Sequence, residues 1–291
     1  MKCIFCGAEI SNSIGGVYDC PYCGGNFVDK SAPVAPTPTP APESVNNGTP
    51  ASLSGAEVFE KNINSILEIT WEHPLGIVSG SGFLIGDGSL ALTNAHVVCN
   101  EVGQPVKNLK VLVAGKLVSA FVLCLGDNKG GRGEGVDLAL VCLVAVPEGA
   151  KPVKFANFDD VRIGEQVFVI GNSLGDGTCI TAGIVSDKQR QLNGHTVMMT
   201  DCAINGGNSG GPIFNAKGEV IGVICSKRLK EDGSATEGMN YAIPINIAKE
   251  FLDHVAESIS NKTLPPPRWA RKEMSDAIKN REAAKNNSKK K

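Results

Sequence analysis

The sequence has no apolar run long enough to cross a bilayer as a helix. Its longest, residues 111–125, is short of the roughly 20 residues a helical span needs and carries Lys116 in its middle. A membrane is therefore not an expected partner. Strong charge of either sign is also missing. With a net charge of −2 and pI near 6.1, the molecule as a whole offers nothing to a polyanion, and any nucleic-acid contact has to come from a local patch. The opening residues MKCIFCGAEI lack the apolar core of a secretory signal, which leads to the expectation of a cytoplasmic protein. Histidine is scarce: four in 291 residues, so a search for a general base has four candidates.

Hydrophobic residues make up 42% of the chain, enough for a sizeable core. Composition divides it into four segments: 1–30 with paired cysteines, a linker at 31–53, a folded domain at 54–260, and a tail at 261–291. The linker SAPVAPTPTPAPESVNNGTPASL is nearly free of large apolar side chains, and its prolines favour extended polyproline II. The tail has ten Lys/Arg against three Asp/Glu and ends in three lysines. It reads as a solvated tail rather than a dedicated nucleic-acid arm.

Within 54–260, Ser54-Gly55-Ala56-Glu57 fits a capping box ahead of a short helix. Strands are expected at 65–71, 82–85, 90–93, 109–114, 117–125, 138–146, 166–170, 179–185, 196–201, 212–214, 220–225 and 239–243, followed by an amphipathic helix at 244–259. A dozen short strands with Gly- and Asn-rich turns between them predict an all-β barrel or sandwich class, and two barrels suit the length.

The stretch INGGNSGGPIF at 204–214 places Ser209 among four glycines. Alone it fits a surface turn, because Gly, Asn and Ser form turns. It also fits a nucleophile on a backbone whose N–H groups are free to bind an oxyanion. A serine nucleophile needs a base and an orienting carboxylate. His254 falls in the closing helix; His73, before Pro74, and His195, after Asn193-Gly194, fall in loops or turns. His96 ends an apolar strand in SLALTNAHVV, where a cleft could receive it. Asp137 in GEGVDLALVCL stands where a glycine-rich loop enters an apolar strand, so a partly buried carboxylate there needs a partner; Asp127 in LGDNKGGRGEG is the weaker candidate.

TNAHVV, DLALV and GNSGGP, in that order, resemble the trypsin-fold serine proteases and specifically the HtrA/Deg family. SGSGFLIGDGSLALTNAHVV, VIGNSLGDGTCITAGIVS and MNYAIPINIAKEFL extend the resemblance over residues 54–260. It implies an all-β, trypsin-like double β-barrel with short flanking helices and a cleft between the barrels. His96 would be the base, Asp137 the orienting acid, Ser209 the nucleophile, and the N–H groups of Gly207 and Ser209 the oxyanion hole. Ser173 in GNSLG would be a turn residue. Asn208 stands where digestive relatives have an Asp that pairs with a newly cut N-terminus, so activation by that ion pair is not expected. Ala203 and Ile204 stand where trypsin has its charged specificity residue, which implies cleavage after small or medium aliphatic residues. No PDZ domain is expected after the barrels, and the family's homo-oligomeric assembly is a possible carry-over.

Cys3-Ile4-Phe5-Cys6-Gly7 and Cys20-Pro21-Tyr22-Cys23-Gly24 make C-x₂-C, thirteen residues, C-x₂-C. Two thiolate pairs at this spacing suit tetrahedral Zn²⁺, and the module resembles a zinc ribbon with a structural zinc on Cys3, Cys6, Cys20 and Cys23. No cofactor is expected for catalysis. Cys99, Cys124, Cys142, Cys179, Cys202 and Cys225 are scattered, mostly in apolar runs where thiols pack as small hydrophobes. The leading expectation is thus a serine endopeptidase acting on proteins or peptides, with a zinc ribbon that can engage a protein partner. The rival is a non-enzymatic adaptor that uses an inactive protease fold as a binding surface.

Overall fold

The computed structural model describes residues 17–19, 26–28, 52–73, 76–100, 102–126, 135–192, 194–229 and 235–260. Cys3, Cys6, Cys20, Cys23, Asp127, the linker and the tail lie outside the described residues. The chain divides into two units, residues 1–49 and 50–291. In the first, β1 (Val17–Asp19) pairs antiparallel with β2 (Asn26–Val28), Val17 opposite Val28.

The second unit opens with α1 (Gly55–Asn62), whose start is fixed as the sequence predicts. The Ser54 Oγ accepts from the Glu57 N–H, and the Glu57 carboxylate accepts from the Ser54 N–H at 2.8 Å. Twelve strands follow. They are β3 (Ile66–His73), β4 (Gly76–Ile85), β5 (Leu90–Thr93), β6 (Leu109–Val113), β7 (Lys116–Leu125), β8 (Ala139–Leu143), β9 (Gln166–Asn172), β10 (Thr178–Leu192), β11 (His195–Thr200), β12 (Pro212–Asn215), β13 (Val220–Leu229) and β14 (Ala235–Pro244). Helix α2 (Ile245–Ser260) closes the described chain. The strands close two six-stranded antiparallel barrels, in the order β3-β4-β5-β8-β7-β6 and β10-β11-β14-β13-β12-β9. The double barrel is as expected.

Alternation along the strands explains how the barrels hold together. In β4, β5 and β8, Leu84, Ala91, Ala139 and Val141 fill the interior of the first barrel. Their neighbours Phe83, Ile85, Leu92 and Leu140 face the other way and join the core of the second barrel, with Val169, Ile213 and Phe214. Both faces of these strands are buried, which is why 138–143 reads as a continuous apolar run instead of an alternating one.

Several strands depart from the expected bounds. β4 begins at Gly76 rather than 82, β10 runs on to Leu192, and β13 with β14 extends to Leu229 and Ala235. Along the β10 extension, residues 186–192 include none that is buried, so hydrophobic alternation gives no boundaries there. Pairing decides them instead: Arg190 opposes Val197 and Leu192 opposes His195. His73, expected in a loop, ends β3 with its ring edge-on to Trp71, centroids 5.7 Å apart. β8 stops at Leu143 instead of 146, where the backbone bends.

None of the six described cysteines forms a disulfide. Burial pushes the Cys99 thiol up to about 11, helped by the charge of Asp137. Burial also pushes Cys202 up to about 11, with the Asp201 charge adding to it and a Thr200 hydrogen bond opposing it. At pH 8 roughly one thiol in a thousand is then ionised at either position, so both should resist a thiol reagent in the native protein and react on unfolding. Cys179, which is exposed, should react at once. The linkage has a definite sign. Both thiols have raised folded-state values, so their contribution is intact below pH 9 and is lost as pH rises through 9 to 11. The urea midpoint should fall over that window, and in a Cys99→Ala/Cys202→Ala protein it should fall less.

Candidate active site

Strand register brings His96 to Asp137. β5 and β8 are antiparallel neighbours with Thr93 opposite Ala139, so the residues just after β5 meet those just before β8. Past Thr93 the chain makes a 3-10 turn, Ala95–Val97, whose Ala95 and Val97 are buried on either side of His96. Burial of the flanking residues turns the imidazole outward, where its side chain is 40% exposed. The His96 Nδ1 lies 2.6 Å from the Asp137 Oδ2, and the His96 backbone N–H donates to Oδ1 at 3.0 Å. Both carboxylate oxygens are therefore occupied by one residue. Asn94 Nδ2 donates to the Asp137 carbonyl at 2.8 Å, and Trp71 Nε1 to the Val97 carbonyl at 2.9 Å, which pins the turn from both sides.

Ser209 sits at the junction of the barrels, half-buried, on the loop that enters β12. Its carbonyl accepts from the Ser81 N–H of β4 at 2.8 Å, tying the second barrel's loop to the first barrel. Gly210 follows with φ +82°, and a Cβ there would run into Ser81 and Thr93 and stand 3.0 Å from the Asn94 amide nitrogen. The loop thus lies directly against the segment that carries His96. Gly207 has φ +91°, and a Cβ would collide with the Asn172 carbonyl. Only glycine meets both demands, positive φ and close approach.

The polar groups before Ser209 have defined partners. Leu174 N–H donates to the Gly206 carbonyl at 2.6 Å, Asn208 N–H to the Asn205 carbonyl at 3.2 Å, and Gly211 N–H to the Asn208 carbonyl at 3.0 Å. In a trans peptide the N–H points away from the preceding carbonyl. The Gly206 carbonyl faces Leu174, so the Gly207 N–H faces the other way. Among the described residues, neither the Gly207 nor the Ser209 N–H is bonded to another protein group.

Two barrels, a His–carboxylate pair on one and a glycine-flanked serine on the other are the parts of a hydrolytic cleft. Residues 80–223 match the family described as the trypsin-like peptidase domain. The double barrel thus resembles a trypsin-like peptidase domain. A "Probable periplasmic serine endoprotease DegP-like" of Rickettsia prowazekii (strain Madrid E) is 34% identical over 211 residues, covering 69% of this chain and 38% of the relative. A protein of the same name from Pseudomonas fulva (strain 12-X) is 35% identical, covering 62% and 35%. The chain thus spans less than two fifths of the length of these curated relatives. Among solved structures, the HtrA-type protease AlgW with a tripeptide is 25% identical with a TM-score of 0.58, covering 71% of this chain and 63% of that one. The serine endoprotease from Yersinia pestis superposes with a TM-score of 0.55 at 24% identity, covering 71% and 67%.

The relatives correct one expectation. The relatives are named periplasmic, which overturns the cytoplasmic reading. That reading rested on the opening residues MKCIFCGAEI, and the relatives' names outweigh it.

Of the other expected residues, Ser173 lies in a 3-10 turn and accepts from Asn205 Nδ2 at 3.2 Å. Ala203 is exposed, and its carbonyl accepts from Thr181 Oγ1 at 2.9 Å, while the Ile204 side chain is buried in the core. Sequence reasoning missed Asn240, whose Nδ2 donates at 2.6 Å to the carbonyl of Cys202, the residue before Ala203. It also missed Ser81 and Asn94, which carry no signal apart from polar side chains between apolar or glycine neighbours.

Proposed function

We propose that this chain is a serine endopeptidase of the HtrA/Deg type, cleaving protein or peptide substrates through an acyl-enzyme. The observation that carries the reading is the bidentate His96–Asp137 contact, on the segment against which the Ser209 loop packs. Ser209 Oγ attacks the scissile carbonyl carbon while His96 Nε2 takes the hydroxyl proton. Asp137 holds the imidazole by Nδ1 and stabilises the imidazolium that forms. The Gly207 and Ser209 N–H groups receive the oxyanion. His96 then returns the proton to the leaving amine, and water, deprotonated by His96, releases the acyl group. The adaptor reading has less support, because a protein that only binds has no need for two unsatisfied amides beside a serine.

We take the specificity pocket to be at Ala203 and Ile204, neither of which brings a carboxylate, so that it suits a small or medium aliphatic side chain. The working compartment is the periplasm of the relatives, and assembly into an HtrA-like homo-oligomer accompanies the activity. Fluorophosphonate labelling with cleavage of a peptide library tests the assignment. Labelling and cleavage after aliphatic residues are expected; cleavage mainly after Lys or Arg would remove the pocket reading.

The N-terminal unit we take to be a zinc ribbon, held by Cys3, Cys6, Cys20 and Cys23. Supporting this is the antiparallel hairpin: the second cysteine pair falls in the six-residue connection between β1 and β2, where a ribbon has a metal knuckle. Bound there, zinc would replace the core that so short a unit lacks. About one zinc per chain is expected by elemental analysis, lost in Cys20→Ser. A metal-free protein with those four thiols blocked as disulfides would overturn it.

A further inference from the structure

Two adjacent glycines, Gly206 and Gly207, precede Asn208 and Ser209, and such a pair has more backbone freedom than any other dipeptide. A loop of this composition holds two amides toward a substrate only if other groups fix its peptide planes. Leu174 fixes the first plane through the Gly206 carbonyl. The second is fixed by a side chain from the opposite barrel. Ser81 on β4 is fully buried, and its Oγ donates to the Gly207 carbonyl at 2.7 Å while accepting from the Asn172 N–H at 2.8 Å. Its backbone N–H donates to the Ser209 carbonyl at 2.8 Å, and its carbonyl accepts from Thr93 Oγ1 at 2.6 Å.

One residue of the first barrel therefore holds both ends of the oxyanion segment and joins it to β9. Room for the hydroxyl comes from Gly171, where a Cβ would lie 2.8 Å from the Ser81 Oγ and 3.0 Å from the Asn208 Oδ1. We propose that Ser81 is a positioning residue for hydrolysis: its hydroxyl locks the Gly207–Asn208 peptide so that the Gly207 and Ser209 amides stay aimed at the oxyanion. The inference deepens the endopeptidase reading and rests on it for its kinetic consequences.

The geometry separates this role from ordinary packing. Losing the hydroxyl leaves the Gly207 carbonyl without its inward partner, and the loop gains conformers in which an oxyanion donor points elsewhere. Substrate side-chain binding does not depend on those donors, so the defect belongs in kcat and not in KM. Loss of a whole oxyanion donor costs about 10²–10³-fold in kcat, and misalignment of donors that remain present should cost less.

The experiment compares full-length wild type, Ser81→Ala and Asn62→Ala on one fluorogenic peptide and one peptide boronate. Asn62 is the control for stability, since its Nδ2 donates to the Val58 carbonyl at 2.9 Å in α1 and the residue is also buried. Ser81→Ala should lower kcat about 10–100-fold with KM within about twofold, and weaken the boronate by a like factor. Hydrogen exchange at the Gly207 and Asn208 amides should speed up as well. Asn62→Ala should lose stability but retain kcat. If Ser81→Ala does not fold, Ser81→Cys, similar in shape and a weak donor, should show a smaller loss in the same direction. An unchanged kcat, a change confined to KM, or an equal loss in Asn62→Ala overturns the proposal. Wild type that takes no fluorophosphonate overturns the endopeptidase reading instead, and the exchange rates of Gly207 and Asn208 then still decide whether Ser81 holds the loop.

Discussion

Ser209→Ala should abolish fluorophosphonate labelling and cut peptide turnover by about 10⁵-fold or more, while leaving the thermal transition within a degree or two. The size follows from the chemistry: without Oγ there is no atom to form the acyl bond, and the remaining amides can only assist attack by water. The small stability change follows from the structure. Ser209 holds the two barrels together through its backbone carbonyl, which Ser81 contacts and which alanine keeps. Casein digestion and a melting curve on the same preparation check both halves. A variant that digests casein at the wild-type rate would show that another residue is the nucleophile.

Asp137→Asn should lower kcat by about 10⁴-fold with little change in fold. Both carboxylate oxygens are engaged with His96, Oδ1 by the backbone N–H and Oδ2 by Nδ1. An asparagine has one oxygen. If that oxygen keeps the backbone N–H, the amide NH₂ faces Nδ1 and favours the tautomer with hydrogen on Nε2, which cannot take the Ser209 proton. If the amide flips, the backbone N–H meets an NH₂ and the turn that carries His96 loses its anchor. Either way the base is disabled. The variant should still bind a substrate-derived peptide with near wild-type affinity by fluorescence anisotropy; loss of binding in step with kcat would point to a collapsed cleft.

Much of the fold was legible because it rests on local physics. The capping box at Ser54 and Glu57 needs only neighbouring residues, and it forms as read. The barrel strands were legible where one or both faces are buried, as in β5, predicted at 90–93 and observed at Leu90–Thr93. Where β10 runs on as a two-sided ribbon, none of its residues after Val185 is buried, burial writes no pattern and the boundary shifted by several residues. The expectation about compartment rested on the opening residues and not on the fold, and the relatives' names overturn it.

For the candidate site, the sequence determined the chemical groups by itself. The apolar flanks of His96, the glycine-to-strand step at Asp137 and the glycines around Ser209 are one-dimensional marks of a turned-out base, a half-buried acid and a tight loop. Only the tertiary structure decided how those groups are held. Register between β5 and β8 sets Asp137 on both His96 nitrogens that face it, and closure of two barrels brings Ser81, Asn172, Leu174 and Asn240 to the Ser209 loop from far along the chain. Such residues have no motif of their own, because a hydrogen bond between barrels depends on where two backbones meet, and that meeting point is a property of the closed barrels and not of any short stretch of sequence.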